Sequence, residues 1–221
     1  MQKQFFIFFL LLLTGVGYSQ QRFSLATDFS LLRNFKSSQK FWAVGQTVQA
    51  DFHFTPVNTL YVFVSYYSPG KFNNLLTATA KQLTTQPNEI NFTNQSQVNF
   101  KTFSVGWKRF LKGSAYAESS WNLYGYAGFG LLLAKAQNTF SVMPDTSNYI
   151  LPEHPINGDG RFQRLTIDAA VGGEYPIGGD LYLYLEGRTW ILTSDYPTKY
   201  LQANQNSPVV ITANFGLRIL F

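Results

Sequence analysis

The chain has 221 residues, of which 17% are aromatic and 13% charged, and a formal net charge of +5 at pH 7. The absence of cysteine excludes disulfides, thiolate nucleophiles and thiolate metal sites. The basic residues are scattered, with no arginine-rich run, so we predict no nucleic-acid partner and a mildly cationic surface suited to anionic lipid headgroups.

The first residues have the pattern of a secretory signal peptide. Lys3 supplies a positive charge, Phe5 to Leu13 is an unbroken apolar run, and Gly17-Tyr18-Ser19 resembles a small-x-small cleavage site. The run is too short for a spanning helix, and no later segment approaches the ~20 apolar residues that such a helix needs. We therefore expect residues 1–19 to be removed on export and residues 20–221 to form one domain.

Eight segments of alternating apolar and polar residues follow, separated by turn signals. The predicted strands are 22–33, 40–54, 59–67, 98–110, 120–134, 163–175, 181–193 and 208–221. Most exceed the ~5–6 residues of a soluble strand and suit the ~9–11 that a tilted membrane strand needs. The connections 55–58, 111–118 and 176–180 are short, whereas the opposite rim has 34–39, 194–207 and the long loops 68–97 and 135–162. This asymmetry is typical of an outer-membrane barrel, with the short turns in the periplasm.

The alternation alone leaves the inward face open. A soluble lipocalin-like barrel would place the apolar phase inside, and a membrane barrel would place it outside. The strand lengths, the one-sided long loops and the lack of a Gly-x-Trp motif near the first strand favour the membrane barrel. So do the aromatic residues near the strand ends, which suit an interfacial girdle: Trp42, Phe52, Phe54, Tyr66, Tyr67, Trp107, Phe110, Tyr175 and Phe221.

The last strand carries the clearest resemblance. Residues 214–221 read NFGLRILF, with Phe215, Leu217, Ile219 and Phe221 in one phase. With the eight-strand pattern over residues 20–221, this ending resembles the small eight-stranded outer-membrane barrels of Gram-negative bacteria, of the opacity-protein and OmpA-like kind. The Phe-rich signal peptide resembles those of Bacteroidetes-type bacteria.

This resemblance implies an all-β, antiparallel, up-and-down transmembrane barrel that is integral to the outer membrane. Its surroundings would be outer-membrane lipids, including lipopolysaccharide. It also implies that the barrel-assembly machinery reads the terminal Phe221 as an assembly signal.

The charged residues of the polar phase are the candidate site residues. Strands in a bilayer must close into a barrel, and eight strands leave an interior that side chains fill. An unpaired buried charge is costly, so we expect ion pairs in the lumen among Asp28, Asp51, Lys108, Asp168, Glu174, Glu186, Arg188 and Arg218. A turn centred near Gly178 predicts that Asp168 and Arg188 lie directly opposite each other.

No catalytic, metal or cofactor site is predicted. Barrels that modify lipid A need a Ser or His nucleophile system near the outer rim, but His53 lies beside the short turn 55–58, at the periplasmic rim. His154 lies in a proline-rich loop without a His-x-Ser arrangement. Residues 157–160 read NGDG, with one carboxylate, and are predicted to be a glycine turn rather than a Ca²⁺ loop.

The predicted function is therefore non-enzymatic. The barrel would anchor the extracellular loops 68–97 and 135–162, and these would carry recognition of an extracellular ligand or a structural role in the envelope. A lipid A-modifying enzyme and a narrow channel are the alternatives.

Overall fold

A computed structural model describes residues 22–36, 39–194, 199–201 and 210–221. The expected signal peptide and parts of the connection 194–207 lie outside these residues. Among the residues described, no helix is long and apolar enough to cross a membrane. The described ranges contain ten strands: β1 (Arg22–Asn34), β2 (Phe41–His53), β3 (Asn58–Tyr67), β4 (Gly70–Ala80), β5 (Glu89–Lys112), β6 (Asn122–Phe140), β7 (Tyr149–Ile150), β8 (Gly158–Gly178), β9 (Leu181–Leu192) and β10 (Val210–Leu220).

Eight of these strands close into an antiparallel ring. Around the ring the order is β1, β2, β3, β5, β6, β8, β9 and β10. β10 then closes the ring on β1, from Asn34 opposite Val210 to Ser24 opposite Leu220. The predicted up-and-down barrel is confirmed, and each predicted strand is present. Closure satisfies the backbone hydrogen bonds of every ring strand, as a bilayer requires.

In the barrel wall, the apolar phase of each ring strand faces outward. Phe29, Val48 and Phe129 are 58%, 58% and 72% exposed, while Asp51, Glu186 and Arg188 are buried. So wide an apolar belt suits lipid and not water, which decides against the lipocalin-like alternative. Most of the predicted girdle aromatics lie on this belt. The girdle prediction is wrong for Tyr67 and Phe110, because both occupy the inward phase and are buried inside the barrel.

One rim of the barrel carries short turns and both ends of the described chain. The β2–β3 connection is 54–57, the β5–β6 connection is 113–121, and the β8–β9 turn is Gly179-Asp180. Gly179 has a φ of +54°, a left-handed conformation that glycine adopts at little cost. Because short turns face the periplasm in such barrels, we call this the periplasmic rim and the opposite one the extracellular rim.

At the extracellular rim the predicted loop 68–97 is wrong, since most of it is a β-hairpin. β4 pairs with the first half of β5, from Gly70 opposite Val98 to Thr79 opposite Glu89. β6 continues beside β5 as far as Phe140, and β7 adds a two-residue edge to β4. We call the sheet of β4, β7 and residues 89–97 of β5 and 135–140 of β6 the external sheet. It adds about 30 Å of strand beyond the barrel wall.

Candidate functional site

The extracellular half of the barrel interior is filled by a hydrophobic plug. The Trp190 ring lies 5.6 Å from that of Tyr67 and 6.3 Å from that of Phe100, measured between centroids. The Phe41 ring packs so closely against Gly70 that any Cβ there would collide with it. Other buried members of the plug are Leu32, Phe72, Val98, Leu132, Leu192, Leu201 and Val210. These side chains pack together in the lumen below the external sheet.

Below the plug, Arg188 is the centre of a buried polar cluster. Its Nη2 lies 2.8 Å from Glu186 Oε1 and 3.8 Å from Asp28 Oδ2. Its guanidinium carbon lies 4.0 Å from the centre of the Phe63 ring, in cation–π geometry. Glu186 also accepts hydrogen bonds from Tyr124, Tyr126 and Asn214, and Asp28 from Tyr184 and Ser30. These uncharged donors were missed by the sequence analysis, although their inward phase could have identified them.

Two further ion pairs lie toward the periplasmic rim. Arg218 Nε donates to Glu174 Oε2 at 3.0 Å, and Arg218 Nη2 donates to Glu174 Oε1, so the contact is bidentate. Lys108 Nζ lies 3.2 Å from Asp51 Oδ2 and 3.9 Å from the centre of the Tyr124 ring. The structure thus places the eight predicted charges in the lumen and brings seven of them into pairs.

The predicted opposition of Asp168 and Arg188 is wrong by two residues. Asp168 is opposite Trp190, and Arg188 is opposite Ala170. The cause is the turn, which lies at Gly179-Asp180 rather than at Gly178, together with an irregularity between Pro176 and Gly178 that offsets the pairing. Both side chains still point into the lumen. Asp168 accepts hydrogen bonds from Ser104 and Thr166, and within the described ranges it has no ion-pair partner.

His53 makes a Ser–His contact that the sequence analysis did not find. Its Nε2 lies 2.8 Å from Ser24 Oγ, and its Nδ1 lies 2.8 Å from Thr59 Oγ1. The Tyr116 ring packs edge-on against the imidazole, with centroids 5.7 Å apart. Ser24 is fully buried and His53 is 2% exposed, so this contact ties β1, β2 and β3 together at the rim and offers no path for a substrate.

The remaining candidates lie in the extracellular part. His154 is exposed between β7 and β8. The glycine turn predicted at 157–160 is an error, because residues 158–160 begin β8. Asp159 Oδ2 lies 2.9 Å from Lys135 Nζ, so this carboxylate is engaged in an ion pair. In the described part of the chain, no group of three or more His, Asp or Glu residues is placed to hold a metal ion.

The inner face of the external sheet has a small core of its own. Leu76, Ala78, Phe92 and Tyr149 are buried together, with Ile90 and Phe140 packed against them. The loop 141–148 closes over one end, since Lys81 Nζ donates to Thr146 O at 2.7 Å and the Lys81 amide to Asn148 O at 2.9 Å. In that loop, hydrogen bonds from Ser147 lower the pKa of Asp145, because they stabilise the carboxylate.

The outer face of the external sheet consists mainly of amides and hydroxyls. Asn73 lies opposite Gln95, and Gln95 lies opposite Thr139 on the other side. Thr77 Oγ1 donates to Asn91 Oδ1 at 2.7 Å. We define this outer face by the following residues: Lys71, Asn73, Leu75, Thr77, Asn91, Gln95, Gln97, Gln137 and Thr139. A groove of about 250 Å³ crosses it between Lys71 and Thr139.

The comparisons with known proteins bear on the fold. No family model matches the chain. No curated protein matches it. Among solved structures it is similar to Neisserial surface protein A, with 11% identity, 90% of this chain and 97% of that chain covered, and a TM-score of 0.53. It is also similar to OprG from Pseudomonas aeruginosa, with 10% identity, coverage of 93% and 98%, and a TM-score of 0.51.

A third similar structure is Ail, the attachment invasion locus protein of Yersinia pestis, in complex with the heparin analogue sucrose octasulfate. The identity is 11%, 92% of this chain and 100% of that chain are covered, and the TM-score is 0.50. At these identities the likeness shows the fold alone. The chain has the fold of the small eight-stranded outer-membrane barrels.

Proposed function

We propose that this outer-membrane barrel is a non-enzymatic, non-conducting anchor for the external sheet, and that the outer face of that sheet recognises a neutral, hydroxyl-rich ligand such as a surface polysaccharide. The observation that carries the proposal is the outer face itself. This region combines paired strands, a small buried core and an extended polar surface, and exposed connections of this kind commonly carry binding functions.

The chemistry of the outer face suits sugar hydroxyls. Primary amides and hydroxyls both donate and accept hydrogen bonds, as a polyol requires. Lys71 is the one charged side chain in the set that defines the face, and the other charged residues of the outward phase, Glu89 and Lys135, lie at the two ends of the external sheet. Charged ligands therefore gain little from the face between these ends. Leu75, which is 72% exposed, adds an apolar spot on which the C–H face of a sugar ring could lie. Cross-strand neighbours are spaced about 5 Å apart, which lets one ring contact two strands.

The rigidity of the external sheet also supports recognition. β5 and β6 continue into it without interruption from the barrel wall, and its inner core fixes β4 in place. A surface that is ordered before binding loses little conformational entropy when a ligand arrives. The affinity available from a few hydrogen bonds is therefore better preserved than on a mobile loop.

The interior supports the non-enzymatic, non-conducting part of the proposal. Among the residues that the structure describes, the plug and the Arg188 cluster occupy the lumen in succession, which supports a barrel without ion conduction. The Ser–His contact found in the described ranges, Ser24 with His53, is buried and lies at the periplasmic rim, away from the outer leaflet.

A glycan-binding assay tests the proposal. Purified full-length protein in detergent would be applied to an array of neutral and charged glycans, beside a variant that carries Asn73→Ala and Gln95→Ala. These residues oppose each other across β4 and β5, so the variant removes adjacent amides from the groove. We expect a neutral-glycan signal that falls at least about tenfold in the variant, since two lost hydrogen bonds are each worth about 1 kcal/mol.

The matched control is Gln82→Ala, which removes an exposed amide from the hairpin turn outside the outer face. This control should bind as the wild type does. Heat-modifiable migration on gels would show that all three proteins are folded. No neutral-glycan signal, or an equal loss in the Gln82 control, contradicts the proposal.

A further inference from the structure

A basic groove lies on the outward surface where the barrel wall meets the external sheet. Lys101 on β5, Lys135 on β6 and Arg161 on β8 line it, and its volume is about 700 Å³. Its other lining residues include Tyr66, Asn99, Leu133 and Gln163. Most of the lining side chains belong to the outward phase of their strands, and only Ala134 and Phe162 belong to the inward phase. The groove is therefore separate from the lumen.

The register places the three cations beside one another. Lys135 lies directly opposite Arg161, so their Cβ atoms are about 5 Å apart. Lys101 is opposite Leu133, two residues from Lys135 along β6, and is therefore a diagonal neighbour about 7–8 Å away. Like charges in directly opposed positions destabilise a sheet. A bound anion would remove this cost.

One acidic residue neutralises part of the positive charge of the groove. Asp159 Oδ2 lies 2.9 Å from Lys135 Nζ, with both side chains about half exposed. Within the described ranges, Lys101 and Arg161 have no ion-pair partner, and Lys101 Nζ lies 5.6 Å from the centre of the Tyr66 ring. The three cations and one acid leave a net charge of about +2, which matches the −1.5 to −2 of a phosphate monoester at pH 7.

The height of the groove favours a membrane lipid over a soluble anion. Immediately toward the membrane, the outward residues become apolar, with Phe103, Leu133 and Leu165 all exposed. Tyr66 lies at the same level as Lys101, since the two are cross-strand partners, and such aromatics mark the membrane–water interface. A lipid here could place its phosphate between the cations and its acyl chains along the apolar residues below.

We infer that the basic groove is a binding site for the phosphorylated headgroup of an outer-leaflet lipid, which in a Gram-negative outer membrane is lipid A. Arg161 supplies a bidentate guanidinium to the phosphate oxygens, and Lys101 and Lys135 supply ammonium groups. Leu133 and Leu165 contact the acyl chains. This site is independent of the outer face of the external sheet, so either can fail without the other.

Native mass spectrometry of the full-length protein in detergent tests the site. The probes are diphosphorylated lipid A and the same lipid with its phosphates removed. The wild-type protein should bind the phosphorylated lipid at least about 25-fold more tightly than the dephosphorylated one, because Lys101 and Arg161 each contribute about fivefold. The double variant Lys101→Gln with Arg161→Gln should lose this preference, and Lys101→Gln alone should lose about fivefold of it.

The matched control carries Arg109→Gln and Lys112→Gln, which remove two exposed cations from the periplasmic end of β5. It should keep the wild-type preference, and heat-modifiable migration should show every variant folded. A double groove variant that keeps its preference for phosphorylated lipid overturns the assignment. So does a soluble sulfated oligosaccharide that binds wild type as tightly as lipid A and loses affinity in the groove variant, because the groove would then serve a soluble polyanion.

Discussion

The Arg218–Glu174 pair offers a quantitative test of how the lumen is stabilised. Both residues are nearly inaccessible to solvent, and the guanidinium makes two contacts with the carboxylate. Arg218 also donates to Ala115 O at 3.0 Å and lies 3.9 Å from the centre of the Tyr182 ring. The change Arg218→Met removes these contacts while it keeps most of the side-chain volume.

The expected cost follows from what the change leaves behind. Glu174 would remain buried with the Asn122 amide, at 3.1 Å, as its hydrogen-bond donor among the described residues. Removal of one partner of a buried pair costs about 3–5 kcal/mol, so we expect the free energy of unfolding to fall by about 4 kcal/mol. The double variant Arg218→Met with Glu174→Gln carries no charge at these two positions. It should lose only about 2 kcal/mol, for the Ala115 hydrogen bond and the cation–π contact.

The assay is urea unfolding of the barrel in lipid vesicles, with the folded fraction read from heat-modifiable migration. The double variant should be about 2 kcal/mol more stable than Arg218→Met. Arg109→Met, an exposed arginine on β5, is the control and should change stability by no more than about 0.5 kcal/mol. If the double variant is no more stable than Arg218→Met, the lumen is not stabilised by charge compensation and the reasoning is refuted.

Three further predictions concern conduction, assembly and sidedness. In planar bilayers the wild-type protein should show no steady unitary conductance, because the plug and the Arg188 cluster fill the lumen; a stable open level would contradict this. Removal of Phe221 should reduce the amount of heat-modifiable barrel in the outer membrane, while export to the periplasm continues. The control Phe215→Ala, in the same phase of the last strand, should assemble normally. Normal assembly without Phe221 would disprove the assembly signal. Trypsin added to whole cells should cut after the exposed Lys81 in the hairpin turn and spare the exposed Lys112, which directly precedes the short connection 113–121; cleavage confined to Lys112 would invert the topology.

The strands were predictable from the sequence because consecutive residues of each barrel strand face two different environments, lipid and lumen. Lipid selects the apolar phase outside, and the narrow interior selects polar and aromatic side chains inside, so the period of two is strong in β2, β9 and β10. The external sheet lacks this contrast. Its outer face carries amides and hydroxyls, and its inner face mixes Leu76 and Phe92 with Asn74, Asn94 and Ser96. A polar hairpin of this kind looks like a loop to any method based on hydrophobic alternation.

The lumen charges were predictable as a set, but their partners were not. Register depends on the turn, and an irregularity of one residue near Ile177 is invisible in the alternation. In addition, a narrow barrel brings acids from several strands within reach of each cation. Arg188 contacts Glu186 on its own strand and Asp28 across the lumen, and both contacts depend on side-chain conformations rather than on sequence spacing.

The continuity of β5 and β6 has a mechanical consequence. β5 is 24 residues long, about 75 Å, and its ladder with β6 runs from Lys112 opposite Leu123 near the periplasmic rim to Asn94 opposite Phe140 in the external sheet. A pull along the strands from a ligand held at the outer face would load this ladder in shear. The load would then be shared by many hydrogen bonds at once instead of breaking them in sequence. With no hinge between ligand site and barrel wall, tension from outside the cell would be transferred directly to the membrane-embedded cylinder.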